Sequence, residues 1–311
     1  MNASLHGLHH ITAIASDPKA NLAFYTRVLG LRFVKKSVNQ DDPGTYHLYY
    51  GDNVGSPGTA LTFFPWQGLR RGRPGTGQAY ATGFSVPAGA LAFWQARLAA
   101  LNVPTHPLET RFGETVLPID DPDGLRLDLV FTAESDLRVP APSPDVPTEH
   151  AIRGFHSSTL ALVDARATAE LLTTTMGYRL AAQEEHRARY TTAAGGPGTY
   201  VDLLTDPALP RGLNGAGTVH HIAFRVADDA GQVRAHDLLA ARGLRVSPVI
   251  DRAYFKSIYY REPAGVLFEI ATDQPGFAID EPVETLGQKL SLPPRLEPYR
   301  AEIEKILPPL N

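Results

Sequence analysis

Gly7-Leu8-His9-His10-Ile11-Thr12-Ala13-Ile14 reads as the opening of a strand in which apolar residues alternate with others. Gly154-Phe155-His156-Ser157-Ser158-Thr159-Leu160 begins the same way 147 positions later. The first stretch leads through Asp17-Pro18 into a helical run, Ala20–Val28, and then Leu29-Gly30-Leu31. The second leads into Ala165–Thr175 and then Met176-Gly177-Tyr178. Gly30 to Gly177 is again 147 positions, and each glycine ends its helix as a left-handed cap would. Strand, helix and cap share one offset, which marks an internal repeat.

Two further units follow the same order. One opens at Thr82-Gly83-Phe84-Ser85-Val86, continues in a helix around Leu91–Leu101 and ends Leu125-Arg126-Leu127-Asp128-Leu129. The other opens at Val219-His220-His221-Ile222-Ala223-Phe224, has its helix around Ala230–Arg242 and ends Val266-Leu267-Phe268-Glu269-Ile270. Pro122-Asp123-Gly124 and Pro263-Ala264-Gly265 introduce those last strands at an offset of 141. The chain therefore reads as an α+β protein of four βαβββ modules. Four prolines between Ala133 and Ile152 disfavour helix and central strand, so that stretch is a linker. The expected organisation is an N-terminal half at 1–132, a linker at 133–153, a C-terminal half at 154–273 and a tail at 274–311. The tail should carry one short helix near Tyr299–Ile306.

The 311 residues contain no cysteine, which excludes thiolate metal sites, iron–sulfur clusters and disulfide scaffolds. Any metal must be held by His, Asp or Glu. A formal charge of −4, with 29 basic and 33 acidic residues, gives no reason to expect nucleic acid. Lys35-Lys36 and Arg70-Arg71-Gly72-Arg73 read as solvated loop charge. No apolar run approaches the roughly 18 residues that a membrane span needs. The first residues lack the basic flank and apolar core of a signal peptide, so the expected location is the cytoplasm.

Chemistry concentrates in two histidine pairs at matching module positions, His9-His10 and His220-His221. Adjacent strand residues face opposite ways, so one member of each pair can face a given cavity unless a bulge re-aims the other. Glu269 is a carboxylate in an otherwise apolar strand, a costly placement unless it is paired or coordinated. Its counterpart Asp128 sits among polar neighbours and reads as solvated or arginine-paired. The counterpart of His10 in module three is Ser157, and that of His221 in module two falls near Ala81, so only one half retains ligand chemistry. Two histidines and a carboxylate with open positions suit non-haem Fe(II), although zinc accepts the same residue types. A four-ligand isomerase of similar design would want a carboxylate in Ala60-Leu61-Thr62-Phe63-Phe64, and none is there.

The ordered set HHIT, VHHIAF and LFEIAT resembles the vicinal-oxygen-chelate superfamily, with its modules paired into two such domains. Tyr46-His47-Leu48-Tyr49-Tyr50, Ser56-Pro57-Gly58-Thr59, Thr110-Arg111-Phe112-Gly113, Glu149 to Ser157 and Arg252-Ala253-Tyr254-Phe255 narrow the resemblance. They are similar to its hydroquinone-type ring-cleaving dioxygenases, over nearly the whole chain from Leu8 to about Leu286. The resemblance implies a mononuclear Fe(II) held by His10, His221 and Glu269, with modules one and four forming the metal half. Manganese or zinc could replace iron in a purified sample.

It also implies Arg252, Tyr259, His9, Thr12 and His220 as the groups around the metal. Alternation puts Thr12 on the face of His10, and Tyr259 falls on the strand before Glu269 in an expected hairpin. His47, His156 and His186 read as structural. The implied activity is extradiol-type insertion of O2 into a hydroquinone or catechol-like phenol, with Arg252 neutralising a phenolate and Tyr259 or a nearby histidine supplying acid. The expected partners are a small aromatic substrate and O2, with no nucleic acid or membrane, and with room for a homo-oligomer. Two alternatives stay open: a glyoxalase-type isomerase or lyase, and a non-catalytic small-molecule binder of the same fold.

Overall fold

The structure, a computed structural model, describes residues 2–310; Met1 and Asn311, the outer limits of the first half and of the tail, lie outside the described residues. The chain folds as four successive strand–helix–three-strand units. Module one comprises β1 (Leu8–Ala15), α1 (Pro18–Ala23), β2 (Arg32–Val38), β3 (Tyr46–Gly51) and β4 (Ala60–Pro65). Module two comprises β5 (Gln78–Pro87), α2 (Leu91–Ala100), β6 (Glu109–Arg111), β7 (Glu114–Asp120) and β8 (Arg126–Thr132). Module three comprises β9 (Gly154–Ala161), α3 (Arg166–Glu170), β10 (Arg179–Gln183), β11 (Arg187–Thr191) and β12 (Tyr200–Leu204). Module four comprises β13 (Thr218–Val226), α4 (Asp229–Ala241), β14 (Ile250–Asp251), β15 (Lys256–Arg261) and β16 (Leu267–Thr272). A last helix, α5 (Arg300–Ile306), lies in the tail.

Local chemistry sets the helix ends. The Asp17 side chain accepts from the Lys19 and Ala20 amides ahead of Pro18, so α1 begins with a capped end and a residue that has no amide to lose. Both α1 and α3 widen into a single π turn, at Phe24–Val28 and Leu171–Thr175, so the repeat extends to this irregularity. Gly30 and Gly177 follow with φ of 72° and 83°, in the left-handed region that favours glycine.

In each module the first strand pairs parallel with the fourth, as β1 does with β4 and β13 with β16, because a helix connects across the sheet. The sheets do not follow the chain halves. One eight-stranded sheet runs β14-β15-β16-β13-β1-β4-β3-β2, joining modules four and one through antiparallel β1 and β13. The other runs β10-β11-β12-β9-β5-β8-β7-β6, joining modules three and two.

The segments that pass from one sheet to the other, near residues 66–77 and 205–217, lie side by side with bridges Arg73 to Leu213 and Thr76 to Arg211. Their backbones meet closely at Gly75, where a Cβ would stand 2.1 Å from the Pro210 oxygen. Arg70 and Arg71 sit exposed on this crossing.

Strand alternation divides the buried residues of β1. Ile11, Ala13 and Ala15 join the main core with Phe24 and Tyr25. On the other face a smaller cluster forms from Val34, Tyr49, Ala60, Ala223, Tyr254 and Phe255. The tail completes it with Phe277 and Leu286, so residues after β16 pack against the first sheet. Lys35, fully buried, ties that tail down through ion pairs of 2.7 Å to both Asp280 and Glu281. No helix among the described residues is long and apolar enough to cross a membrane.

Candidate metal centre

The antiparallel join of β1 and β13 brings the two histidine pairs together. Leu8 faces Phe224 and His10 faces Ala223, so His9 is an extra residue on β1. Thr12 faces His221 and Ala13 faces Val219, so His220 is an extra residue on β13. Each pair thus sits on a β-bulge, and simple alternation does not hold there. The Nδ1 atoms of His9 and His10 meet at 2.9 Å, and those of His220 and His221 at 2.8 Å.

This geometry fixes a tautomer. His9 Nε2 lies 3.1 Å from the Thr272 carbonyl, which can only accept, so that nitrogen carries the proton. Burial and the neighbouring His10 pull the His9 pKa down to about 3, so its ring is neutral and Nδ1 is an acceptor. His10 Nδ1–H therefore donates to His9, and His10 Nε2 keeps a free lone pair. A carbonyl–imidazole–imidazole chain of this kind orients a ligand and raises its basicity.

His10 Nε2 is 3.3 Å from Glu269 Oε2, and His221 Nε2 is 3.0 Å from the same oxygen. His10 and His221 are nearly buried and Glu269 is completely so. Ser257 donates to the other carboxylate oxygen, Oε1. Oε2 has no hydrogen-bond partner, although it is buried. Burial opposes ionisation of Glu269, but positive charge at the two facing imidazoles outweighs it and holds the carboxyl well below its ordinary range. His10, His221 and Glu269 are the one group of three or more such side chains among the described residues whose donor atoms converge within 4.8 Å. An orphaned carboxylate oxygen between two imidazole nitrogens fits a divalent cation.

A cavity of about 420 Å³ opens onto His10 and His221, between the sheet and residues 39–42. Phe64, Trp66 and Phe255 give it flat apolar walls, and Asp42 fixes the Trp66 indole through a 2.8 Å hydrogen bond. Phe255 packs on His10 with ring centroids 4.8 Å apart.

Arg252 and Tyr259 also line the cavity. Arg252 Nε donates to the Tyr259 hydroxyl at 3.1 Å, and Asp41 receives the same guanidinium at 3.3 Å. Tyr259 faces Glu269 across the β15–β16 hairpin, and burial pushes its hydroxyl pKa up, so it stays a phenol. Thr12 is fully buried on β1, and its hydroxyl bonds that of Thr62 at 2.8 Å. His220 stands exposed at the mouth against Phe64. All eight sequence-expected site residues thus fall within one neighbourhood of the first sheet.

His47, read from sequence as structural, instead stands on the cavity wall. Its signal was available: His47-x-Tyr49 and Ser257-x-Tyr259 occupy matching places, since Tyr49 faces Thr62 as Tyr259 faces Glu269. His156 is buried against Glu114 in the second sheet, and His186 is half-exposed in a turn.

The second sheet carries no such histidine–carboxylate group among the described residues. Arg111 holds Asp128 at 2.5 Å, and Arg189 bonds Asp202 at 2.9 Å and Glu114 at 2.7 Å. Glu114 also meets His156 at 3.1 Å. Arginine-paired carboxylates stand in the second sheet where the first has its His–His–Glu group.

The model of the Glyoxalase/Bleomycin resistance protein/Dioxygenase superfamily matches residues 7–129 and 154–270. Among curated proteins, the chain is 49% identical over 308 residues to "Putative ring-cleaving dioxygenase MhqO" of Bacillus subtilis (strain 168), covering 98% of this chain and 96% of the relative. It is 34% identical over 307 residues to the chlorohydroquinone/hydroquinone 1,2-dioxygenase of Sphingobium indicum, covering 96% and 95%. A crystal structure of a Bacillus subtilis protein superposes with a TM-score of 0.94 at 48% identity over 99% of this chain and 98% of the other. Glyoxalase I from Zea mays shares the fold at a TM-score of 0.67 and 12% identity, covering 91% and 97%. Four repeated modules, a convergent His–His–Glu group and matches across nearly the full length agree: the chain belongs to the glyoxalase, bleomycin resistance protein and dioxygenase superfamily.

Proposed function

We propose that this protein is a ring-cleaving dioxygenase that inserts O2 into a hydroquinone or catechol-like phenol at a mononuclear Fe(II) site. His10 and His221 through Nε2, and Glu269 through Oε2, would hold the ion in the half formed by modules one and four. The observation that carries this reading is the buried, unpartnered Glu269 Oε2 between two imidazole nitrogens, one with its lone pair freed by the His9 chain. Ferrous iron bound there supplies open positions at which a phenolic oxygen and O2 are brought together.

The surrounding side chains suit that task. Phe64, Trp66 and Phe255 give a flat ring apolar walls within a volume ordinary for a small-molecule site. Arg252 stays charged and neutralises a phenolate oxygen, while the Tyr259 phenol keeps a proton to donate as the ring opens. Thr62 stands where a second carboxylate, as fourth ligand, would give the four-ligand design of an isomerase, and a hydroxyl is a poor substitute.

The test is a reconstitution series. Protein stripped by chelator and reloaded with Fe(II), Mn(II) or Zn(II) is followed spectrophotometrically with a panel of hydroquinones and catechols. Fe(II) should restore turnover under air and none should occur anaerobically. Full activity with Zn(II) but not Fe(II) would overturn the proposal.

A further inference from the structure

The module repeat gives the metal half a fourth corner. Glu269 lies beside Ala223 of the parallel strand and faces Tyr259 across the hairpin. Thr62 has the same two relationships in module one, beside Thr12 and facing Tyr49. Ser257, two residues before Tyr259, bonds Glu269. His47, two residues before Tyr49, bonds Thr62 at 2.8 Å through Nε2. His47 therefore stands to the fourth corner as Ser257 stands to the carboxylate, and an imidazole replaces a hydroxyl there.

Its other nitrogen, Nδ1, is 2.7 Å from the Tyr49 hydroxyl, and Thr62 continues to Thr12 at 2.8 Å. Tyr49, His47, Thr62 and Thr12 form one chain of groups that can each donate or accept, so the chain can run in either direction. Thr12 and Thr62 are wholly buried, while Tyr49 and His47 line the cavity. The His47 ring is clamped between Tyr49 and Phe64, with centroids 4.0 and 4.4 Å away. Burial keeps the resting ring neutral; His10, His221 and Arg252 also oppose a positive charge on it, and Glu269 favours one. An anion entering the cavity therefore favours an imidazolium at His47.

We infer that His47 is the proton acceptor and donor for the substrate at this corner, with Tyr49 carrying the proton between them and Thr62 as a positioning residue. The substrate O–H bond breaks with its electron pair left on oxygen. Its proton goes to the Tyr49 oxygen as the Tyr49 proton moves to His47 Nδ1, and Thr62 accepts from Nε2–H. The reverse transfer returns the proton to the opened product. This inference rests on the proposed function for the identity of the substrate, a phenol, but not for the geometry of the relay.

The test uses 4-nitrocatechol bound anaerobically to the metal-loaded protein, because its absorbance reports its ionisation without turnover. In His47→Gln the pH at which half the bound probe is ionised should rise by a unit or more. The kcat for ring cleavage should fall about 100-fold, while KM and metal content change less than about threefold. Tyr49→Phe, which keeps the ring packing, should move the same readouts in the same direction and decides the matter if His47→Gln does not fold. An unchanged ionisation midpoint and a kcat within about twofold of the parent in either folded variant overturn the role of His47. If the parent protein cleaves no ring but ionisation of the probe still depends on His47, the proposed function fails and the relay stands.

Discussion

His10 and His221, 211 residues apart in sequence, place their Nε2 atoms 3.4 Å from each other. Both nitrogens also address one oxygen of Glu269. Two imidazole lone pairs and an ionised carboxylate repel one another at that separation unless a positive charge lies among them. A bound cation should therefore stabilise the fold. Relative to chelator-stripped protein, metal at about 100 times its Kd adds about 2.7 kcal/mol, which calorimetry should read as a melting temperature several degrees higher. His221→Ala and Glu269→Gln should lose that increment.

The two histidine pairs are unequal, and so should be their variants. His9 is anchored to the Thr272 carbonyl, whereas His220 is exposed and has no second partner among the described residues. His9→Ala should weaken metal binding about 10- to 100-fold, the usual cost of losing a group that orients a ligand. His220→Ala should weaken it by less than about tenfold. Competition against a chromophoric chelator measures both.

The ion network of the second sheet should make stability depend on acid. Burial alone would raise the Glu114 pKa, but hydrogen bonds and charge from His156 and Arg189 outweigh it and hold the carboxyl at about 2. A depressed folded-state value means that the stabilisation is complete above the unfolded value near 4.5 and is lost as pH falls through 2. Glu114→Gln should thus cost about 2 to 3 kcal/mol at pH 7. The gap between variant and parent should close between pH 4.5 and 2, as read by denaturant titration at a series of pH values.

The tail hangs on a buried charge. Replacing Lys35 by Met leaves Glu281, itself buried, without its cation, and breaking such a pair costs about 3 to 5 kcal/mol. Residues after Asp273 should then become the first site of limited proteolysis. Because Phe277 packs on Tyr49 and Tyr254 beside the cavity, KM for the aromatic substrate should rise in the same variant.

Much of this was legible in the chain. Repeated spacing from Gly7 to Gly30 and from Gly154 to Gly177 locates modules one and three, and the repeated Pro-x-Gly turns at Gly124 and Gly265 locate modules two and four, because strand, helix and left-handed turn each impose their own residue types. Glu269 announced itself as a carboxylate with no polar company, and Asp128 is arginine-paired as its context suggested. Alternation, however, assigns His9 and His220 to the wrong faces, because a bulge adds one residue that no pattern of apolar positions counts. His47 reads as structural from sequence because its place on the cavity wall and its bond to Thr62 depend on the β3–β4 pairing, which the local Tyr-rich strand hides. Lys35, read from sequence with Lys36 as solvated loop charge, is instead buried in β2, because Asp280 and Glu281 of the tail supply partners that no local pattern shows.

A ring-cleaving dioxygenase of the kind proposed puts both atoms of O2 into its substrate. Turnover of a hydroquinone by Fe(II)-loaded protein under 18O2, with the product trapped before carbonyl oxygens exchange with water, tests it by mass spectrometry. The expected result is a ring-opened product carrying two 18O atoms, with no product from His221→Ala. A product without label, or equal turnover in the absence of O2, would contradict it.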